Sequence, residues 1–218
     1  SRHEGIKAST VTSHWERESL EQYADAASAM GEKAWVKEAN EWMWDFAVSF
    51  FRRNGARKEL LRHLAKDRPE EEMAAWTRSL VRDLMRQRET TAEPVPIKLL
   101  DVGSCYNPLL QSPNAAAFDV TALDLQPAHP SVLQGDFLQV GIADPEPSLS
   151  GLHTGGEKGV VVDGEGRVKE LIKGSFDAVS MSLVLSYLPT AAQRREMIRR
   201  ARALLVDEHP ACRARTKV

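Results

Sequence analysis

The chain has 218 residues, enough for one or two domains with a real core. Hydrophobic residues make up 42% and charged residues 28%, with a formal net charge of −2, an ordinary balance for a soluble globular protein. That charge excludes a chain-wide attraction to nucleic acid or anionic membrane, and no apolar run approaches the ~18 residues of a membrane span. Two distant cysteines, Cys105 and Cys212, form neither a disulfide framework nor a C-x-x-C zinc pair. The N-terminus carries no apolar secretory stretch, so a cytoplasmic or nuclear protein is expected.

Residues 1–93 read as a helical domain. Ser13-His14-Trp15-Glu16 has the form of a capping box ahead of a helix from Glu16 to Met30. A second helix spans Lys33 to Arg53. Its residues Trp35, Ala39, Trp42, Met43, Phe46, Ala47 and Phe50 fall at steps of three and four, predicting one buried face. Asn54-Gly55 would stop it. A third helix is expected from Pro69 to Arg88, acidic in its first turn and basic near its end. All five tryptophans lie in this half. Core packing is the ordinary role of such residues. Trp44, off the main apolar face, is the candidate to cap a ligand held by the second half.

Thr91-Ala92-Glu93-Pro94-Val95-Pro96 separates the halves. From residue 94 to 218 the texture is that of an α/β domain. Strands are expected at Ile97–Val102, Phe118–Leu125, Ser131–Leu133 and Phe176–Leu185, with room for helices between several of them. Gly141 to Gly174 reads as a long loop, within which Val160–Val168 forms a small hairpin turning at Asp163-Gly164. A helix follows from Gln193 to Val206. Two basic stretches, Arg52-Arg53-Arg57-Lys58-Arg62 and Arg194-Arg195-Arg199-Arg200-Arg202, suit solvated helix faces or, alternatively, phosphate contacts.

The chemistry concentrates after the strands. Asp101-Val102-Gly103 ends the first strand in a turn where a glycine lets backbone amides approach a ligand. Asp124 follows 23 residues later, at the spacing of about 20 from which an acidic residue accepts the ribose hydroxyls of a nucleotide-like cofactor. Asp136-Phe137 follows the third strand. Its carboxylate suits an adenine amino group and its ring suits the base. A dinucleotide such as NAD wants G-x-G-x-x-G around its pyrophosphate. Here the turn is Gly103-Ser104-Cys105-Tyr106-Asn107-Pro108, with one glycine. S-adenosylmethionine, lacking phosphate, tolerates such a turn, with Asn107 in a left-handed conformation. Cys105 reads as a small wall residue, since no His lies near it in sequence.

The string Leu99-Leu100-Asp101-Val102-Gly103-Ser104-Cys105-Tyr106-Asn107-Pro108 resembles the SAMTOR family of S-adenosylmethionine sensors upstream of the mTOR complex, whose fungal relatives are 25S rRNA adenine methyltransferases. The resemblance continues through Ala122–Leu125, Gly135–Leu138 and Phe176–Pro189, then along Gln193–Val206. It is weaker around Leu20–Lys58. It implies a helical domain packed on a class I, Rossmann-like methyltransferase domain that binds S-adenosylmethionine or S-adenosylhomocysteine. The residues that match family binding positions are Gly103, Ser104, Cys105, Asn107, Asp124, Leu125, Asp136, Phe137 and Ser182. By resemblance the partners are the GATOR and KICSTOR complexes, with lysosome association through them. The ligand-free protein would restrain mTOR signalling, and S-adenosylmethionine would release it.

Two departures stand out. The loop from Gly141 to Gly174 does not follow the family. The twelve residues after Val206 are too few for the remaining strands of a full class I sheet, although Arg213–Val218 would suit one edge strand. A sequence that is truncated, alternatively spliced or joined across further residues is therefore expected, since a half-built sheet would expose a long edge and part of its core. Related adenine methyltransferases carry Asn/Asp-Pro-Pro-aromatic after the fourth strand. Here Ser182-Leu183-Val184-Leu185-Ser186-Tyr187-Leu188-Pro189 keeps only an aromatic and one proline. A sensor is thus expected ahead of an active RNA or protein methyltransferase, although proximity alone can drive methyl transfer.

Overall fold

The computed structural model describes residues 17–52, 95–145 and 159–207. The predicted third helix, the N-terminal capping box and the Arg213–Val218 segment lie outside them. Two helices come first, α1 (Arg17–Gly31) and α2 (Ala34–Arg52), within two residues of the expected bounds. Four strands then build a parallel sheet: β1 (Ile97–Val102), β2 (Phe118–Asp124), β3 (Val132–Gln134) and, after an inserted region, β7 (Ala178–Ser180). Their order is β3-β2-β1-β7. Register runs Ile97 to Phe118 and Val102 to Leu123, Ala122 to Val132, and Leu99 to Ala178. The chain winds outward from β1 to β3, then returns to the other side of β1. The gap between β1 and β7 is therefore a topological switch point, where open α/β sheets bind ligands at the carboxyl ends of their strands.

Alternation along β1 decides what covers each face. Ile97 and Leu99 point to one side and pack with Trp44, Val48, Leu109 and Phe118. Leu100 and Val102 point to the other and join Leu123, Phe176, Met197 and Leu204. The first face is covered by α2, the second by α3 (Ala191–Leu204). Thr190 caps α3 through a full capping box with Gln193, which satisfies two orphan donors of the first turn.

Several elements differ from expectation. The connection from β1 to β2 holds no α-helix. It holds two short 3-10 turns, Pro108–Gln111 and Ala115–Ala117. Pro113 falls between them and cannot continue a helix, so α2 from the first half covers that face. The apolar run Phe176–Leu185 forms strand only at Ala178–Ser180. Leu183 then takes φ +62° and Val184–Tyr187 is a 3-10 turn. Continuous apolarity reports burial, not periodicity, and Met181, Val184 and Leu185 are packed against the core without being strand.

Of the segment 141–174, the described residues 141–145 and 159–174 form more than a loop. It contributes β4 (Gly141–Ala143), β5 (Val160–Val162) and β6 (Val168–Ile172), a small sheet in the order β4-β6-β5. The expected β5–β6 hairpin is present and antiparallel. Its turn is longer than Asp163-Gly164, because the Asp163 carboxylate accepts from the amides of Glu165 and Arg167 while Gly166 takes φ +77°. The face of α2 also differs. Val36, Asn40, Trp44 and Val48, spaced by four, are buried, whereas Trp42 is 69% exposed and Trp35 and Phe46 about half. Trp42 and Phe46 instead stack on each other along the outer face.

Candidate functional site

The turn after β1 is a knot of backbone hydrogen bonds. Gly103 has φ +77° and its amide donates to Leu123 O. A Cβ at Gly103 would lie 2.9 Å from the Val184 side chain, so only glycine fits. Cys105 and Asn107 both adopt positive φ, the latter as its place in the turn suggested. Ser104 Oγ donates to Asp101 Oδ2 at 2.7 Å. The Asn107 side chain reaches Ser131 Oγ at 3.0 Å. The Cys105 thiol is buried among Ala24 O and Ser28 Oγ of α1. Burial, then the nearby Asp124 charge, pushes it up from its usual range, which fits a wall residue and not a nucleophile.

Three carboxylates follow the sheet edge. Asp101 sits in β1, buried, with Ser104 and Ser180 as hydroxyl donors. Asp124 ends β2. Its Oδ2 accepts from the Cys105 amide at 2.9 Å and its Oδ1 from the Gln126 amide at 2.8 Å. The Leu125 amide also stabilises this carboxylate. Asp136 follows β3. Its Oδ1 accepts from the Leu138 amide, while Oδ2 is buried with no partner. Burial raises all three carboxyls above their ordinary values, because desolvation disfavours the charged form.

Phe137 departs from its expected role. Its ring lies in the core, with the Arg200 guanidinium 5.8 Å from its centroid, and does not stand free to stack a base. Arg200 also donates to the carbonyls of Phe137 and Val140, fixing the Asp136 loop from α3. Arg194 donates to Leu188 O, and Arg199 pairs with Glu196. Part of the second basic stretch is therefore used inward, neither solvated nor free for phosphate. Of the first stretch, Arg52 holds the carbonyls of Val95 and Ala117, and the rest lies outside the described residues.

Two cavities lie near the carboxyl end of the sheet, and buried Asp124 lines neither of them. One, of about 430 Å³, lies beside Leu125, Gln134 and Asp136 and is walled by Arg167 and Lys169 of the hairpin. The other, of about 70 Å³, lies at the switch point between Asp101, Gly103 and Ser182, with α1 and α2 over it through Met30, Asn40 and Trp44. Trp44 lines this cavity and is also part of the core. The Tyr106 hydroxyl rests against Gly31 of α1. Ser182 Oγ lies 3.4 Å from Asn40 Oδ1. Asn40 was not found from the sequence. The signal was available, since a lone polar residue stands in the Val36-Asn40-Trp44-Val48 row.

A parallel sheet that reverses at its first strand, with a one-glycine turn and an acid after each of β2 and β3, defines a class I, Rossmann-like methyltransferase fold. A model of the family described as 25S rRNA (adenine(2142)-N(1))-methyltransferase, Bmt2, matches residues 167–216. The chain is also similar to proteins named "S-adenosylmethionine sensor upstream of mTORC1". The one from Danio rerio is 27% identical over 197 residues, covering 87% of this chain and 48% of the relative. Those from Xenopus laevis and Xenopus tropicalis are 26% identical over 194 and 198 residues, each covering 84% of this chain and 47% of the relative. The chain spans about half the length of the curated relatives it matches.

Proposed function

We propose that the chain is the ligand-binding part of an S-adenosylmethionine sensor in TOR signalling. Ligand-free, it holds the GATOR and KICSTOR complexes and restrains the mTOR complex, and S-adenosylmethionine releases it. It acts in the cytoplasm and reaches the lysosome through those partners. The observation that carries this reading is the closure of α1 and α2 over a switch-point cavity lined by buried Asp101, with Asp124 and Asp136 at the ends of the neighbouring strands. Those acids fit the ligand group by group. The orphaned Asp136 Oδ2 suits the adenine amino group, with Leu125 beside it. Asp124 suits the ribose hydroxyls, and Asp101 suits the ammonium of the amino-acid end. Gly103, Ser104, Cys105 and Asn107 shape the turn between them.

Closure gives the sensor its coupling. A whole-ligand pocket is roughly 300 Å³ or more, whereas the cavity under the helices is about 70 Å³. Ligand entry therefore favours an arrangement in which the helical half has yielded, and a partner that reads the closed arrangement loses affinity. Such a switch works to the extent that the ligand binds the two arrangements differently. Calorimetry with S-adenosylmethionine and S-adenosylhomocysteine, followed by partner capture with and without saturating ligand, tests this. Capture indifferent to ligand would sink the sensor.

A second reading is an active methyltransferase on RNA adenine or protein, with S-adenosylmethionine supplying the methyl group. It is supported by the rRNA methyltransferase family match and by Tyr187, half exposed beside the switch-point cavity. Radiolabelled methyl transfer to ribosomal RNA and cell extract tests it. Incorporation no greater than that of a Gly103→Asp control would argue against it.

A further inference from the structure

Asn40 is 6% exposed, in the middle of α2, yet it lines the switch-point cavity. Ser182 Oγ, from the loop after β7, donates to its Oδ1. Its Nδ2 makes no hydrogen bond to any described residue, and it is not among the polar atoms sealed away from space. The open space beside a residue so buried is the cavity itself. Asn40 therefore presents two unused N–H donors there, and Asp101 lines the same cavity as an acceptor. A donor amide and a carboxylate facing one small space match the carboxylate and ammonium of an α-amino acid.

The sheet orients the ligand. Asp136 follows β3, Asp124 ends β2, Asp101 lies in β1 and Ser182 follows β7. With ribose at Asp124 and base toward β3, the 5′ substituent points to β1 and β7, where Asn40 waits. We infer that Asn40 donates its amide to the carboxylate of the ligand's amino-acid end, making α2 the element that distinguishes adenosine thioethers with that end from those without it. The inference rests on the cofactor reading above.

S-Adenosylhomocysteine and 5′-methylthioadenosine are both neutral at sulfur and differ in the amino-acid end, so their affinity ratio reads the contact. Calorimetry on the full chain is expected to favour S-adenosylhomocysteine by at least about tenfold. Asn40→Leu should weaken it about 10- to 150-fold, the size of a lost charge-assisted contact, and leave methylthioadenosine unchanged. Asn40→Asp, with a carboxylate facing a carboxylate, should lose as much. Ser182→Ala, on an exposed loop, should give an intermediate loss by freeing the amide. Equal losses for both ligands, or Asn40→Asp binding S-adenosylhomocysteine as well as wild type, would overturn the inference. A wild-type chain that binds both equally overturns it alone. A chain that binds neither overturns the cofactor reading as well.

Discussion

Gly31 ends α1 directly under Tyr106. A Cβ there would lie 1.8 Å from Tyr106 Oη, 2.2 Å from Cζ and 2.6 Å from Cε1, where ordinary contact begins at 3.4 Å. Replacing glycine by alanine in a helix normally stabilises by roughly 0.5–1 kcal/mol. Here the ring or the helix end must retreat by more than an ångström, and such overpacking costs about 1–3 kcal/mol. Gly31→Ala should therefore destabilise by about 0–2.5 kcal/mol. In a Tyr106→Ala background the obstruction is gone, so the same change should stabilise by about 0.5–1 kcal/mol. Urea denaturation of the four chains of this double-mutant cycle gives both signs and their coupling. If Gly31→Ala stabilises with Tyr106 present, the contact between α1 and the turn after β1 does not exist in solution, and closure over the cavity loses its main support.

Asp124→Ala should abolish cofactor binding in calorimetry, since it removes contacts worth about 1.5–3 kcal/mol each, or about 10- to 150-fold. It should also lower the denaturation midpoint, because the Cys105 and Gln126 amides lose their acceptor. Asp101 titrates above its ordinary value of 3.8 through burial, so ionising it costs stability, and that cost grows as pH rises from about 3.8 through the folded value. Asp101→Asn should then raise the midpoint at pH 7, and the gain should fade toward pH 4 in denaturation curves. Arg200→Lys should cost about 1–3 kcal/mol in urea, since lysine cannot reproduce a fork that serves two carbonyls and covers Phe137.

The elements with local signatures were legible in the sequence. β1 and β2 reveal themselves as apolar β-rich runs, and α3 was expected through the family resemblance along Gln193–Val206. The turn residues Gly103 and Asn107 could be assigned by their tolerance of positive φ. What escaped depends on contacts made across the chain. The aromatic stripe of α2 points outward because a competing row, Val36-Asn40-Trp44-Val48, meets Leu99 and Phe118. Nothing within the helix chooses between two apolar rows, and the sheet does. Phe137 looked like a base-stacking ring, but Arg200, 63 residues later, covers it. Asn40 gains meaning only beside Ser182, 142 residues away. The positions of the carboxylates at or after strand ends were legible by spacing, though not the amides that already occupy Asp124.

The two helices over the cavity are held unequally, and that asymmetry bears on how the site signals. α2 is fastened along its length on the far side from the cavity. Glu41 accepts from Ser112 Oγ, Asp45 from Asn114 Nδ2, and Arg52 holds the carbonyls of Val95 and Ala117. Trp44 and Val48 add core burial against β1 and β2. Among the described residues, α1 meets the same domain through weaker contacts: the Cys105 thiol at 3.7 Å from Ala24 O and 3.9 Å from Ser28 Oγ, and the Tyr106 ring on Gly31. Sulfur hydrogen bonds are weak, so displacing α1 costs less than displacing α2. On the proposed function, a ligand entering at the switch point would therefore do its work on α1, while α2 would stay in place to read it through Asn40. A buried acid such as Asp101, raised in pKa and facing hydroxyls, is a poor bargain for the empty fold and a good partner for an incoming ammonium. On the proposed function, that carboxylate would supply part of the differential affinity that any sensor of this kind must have.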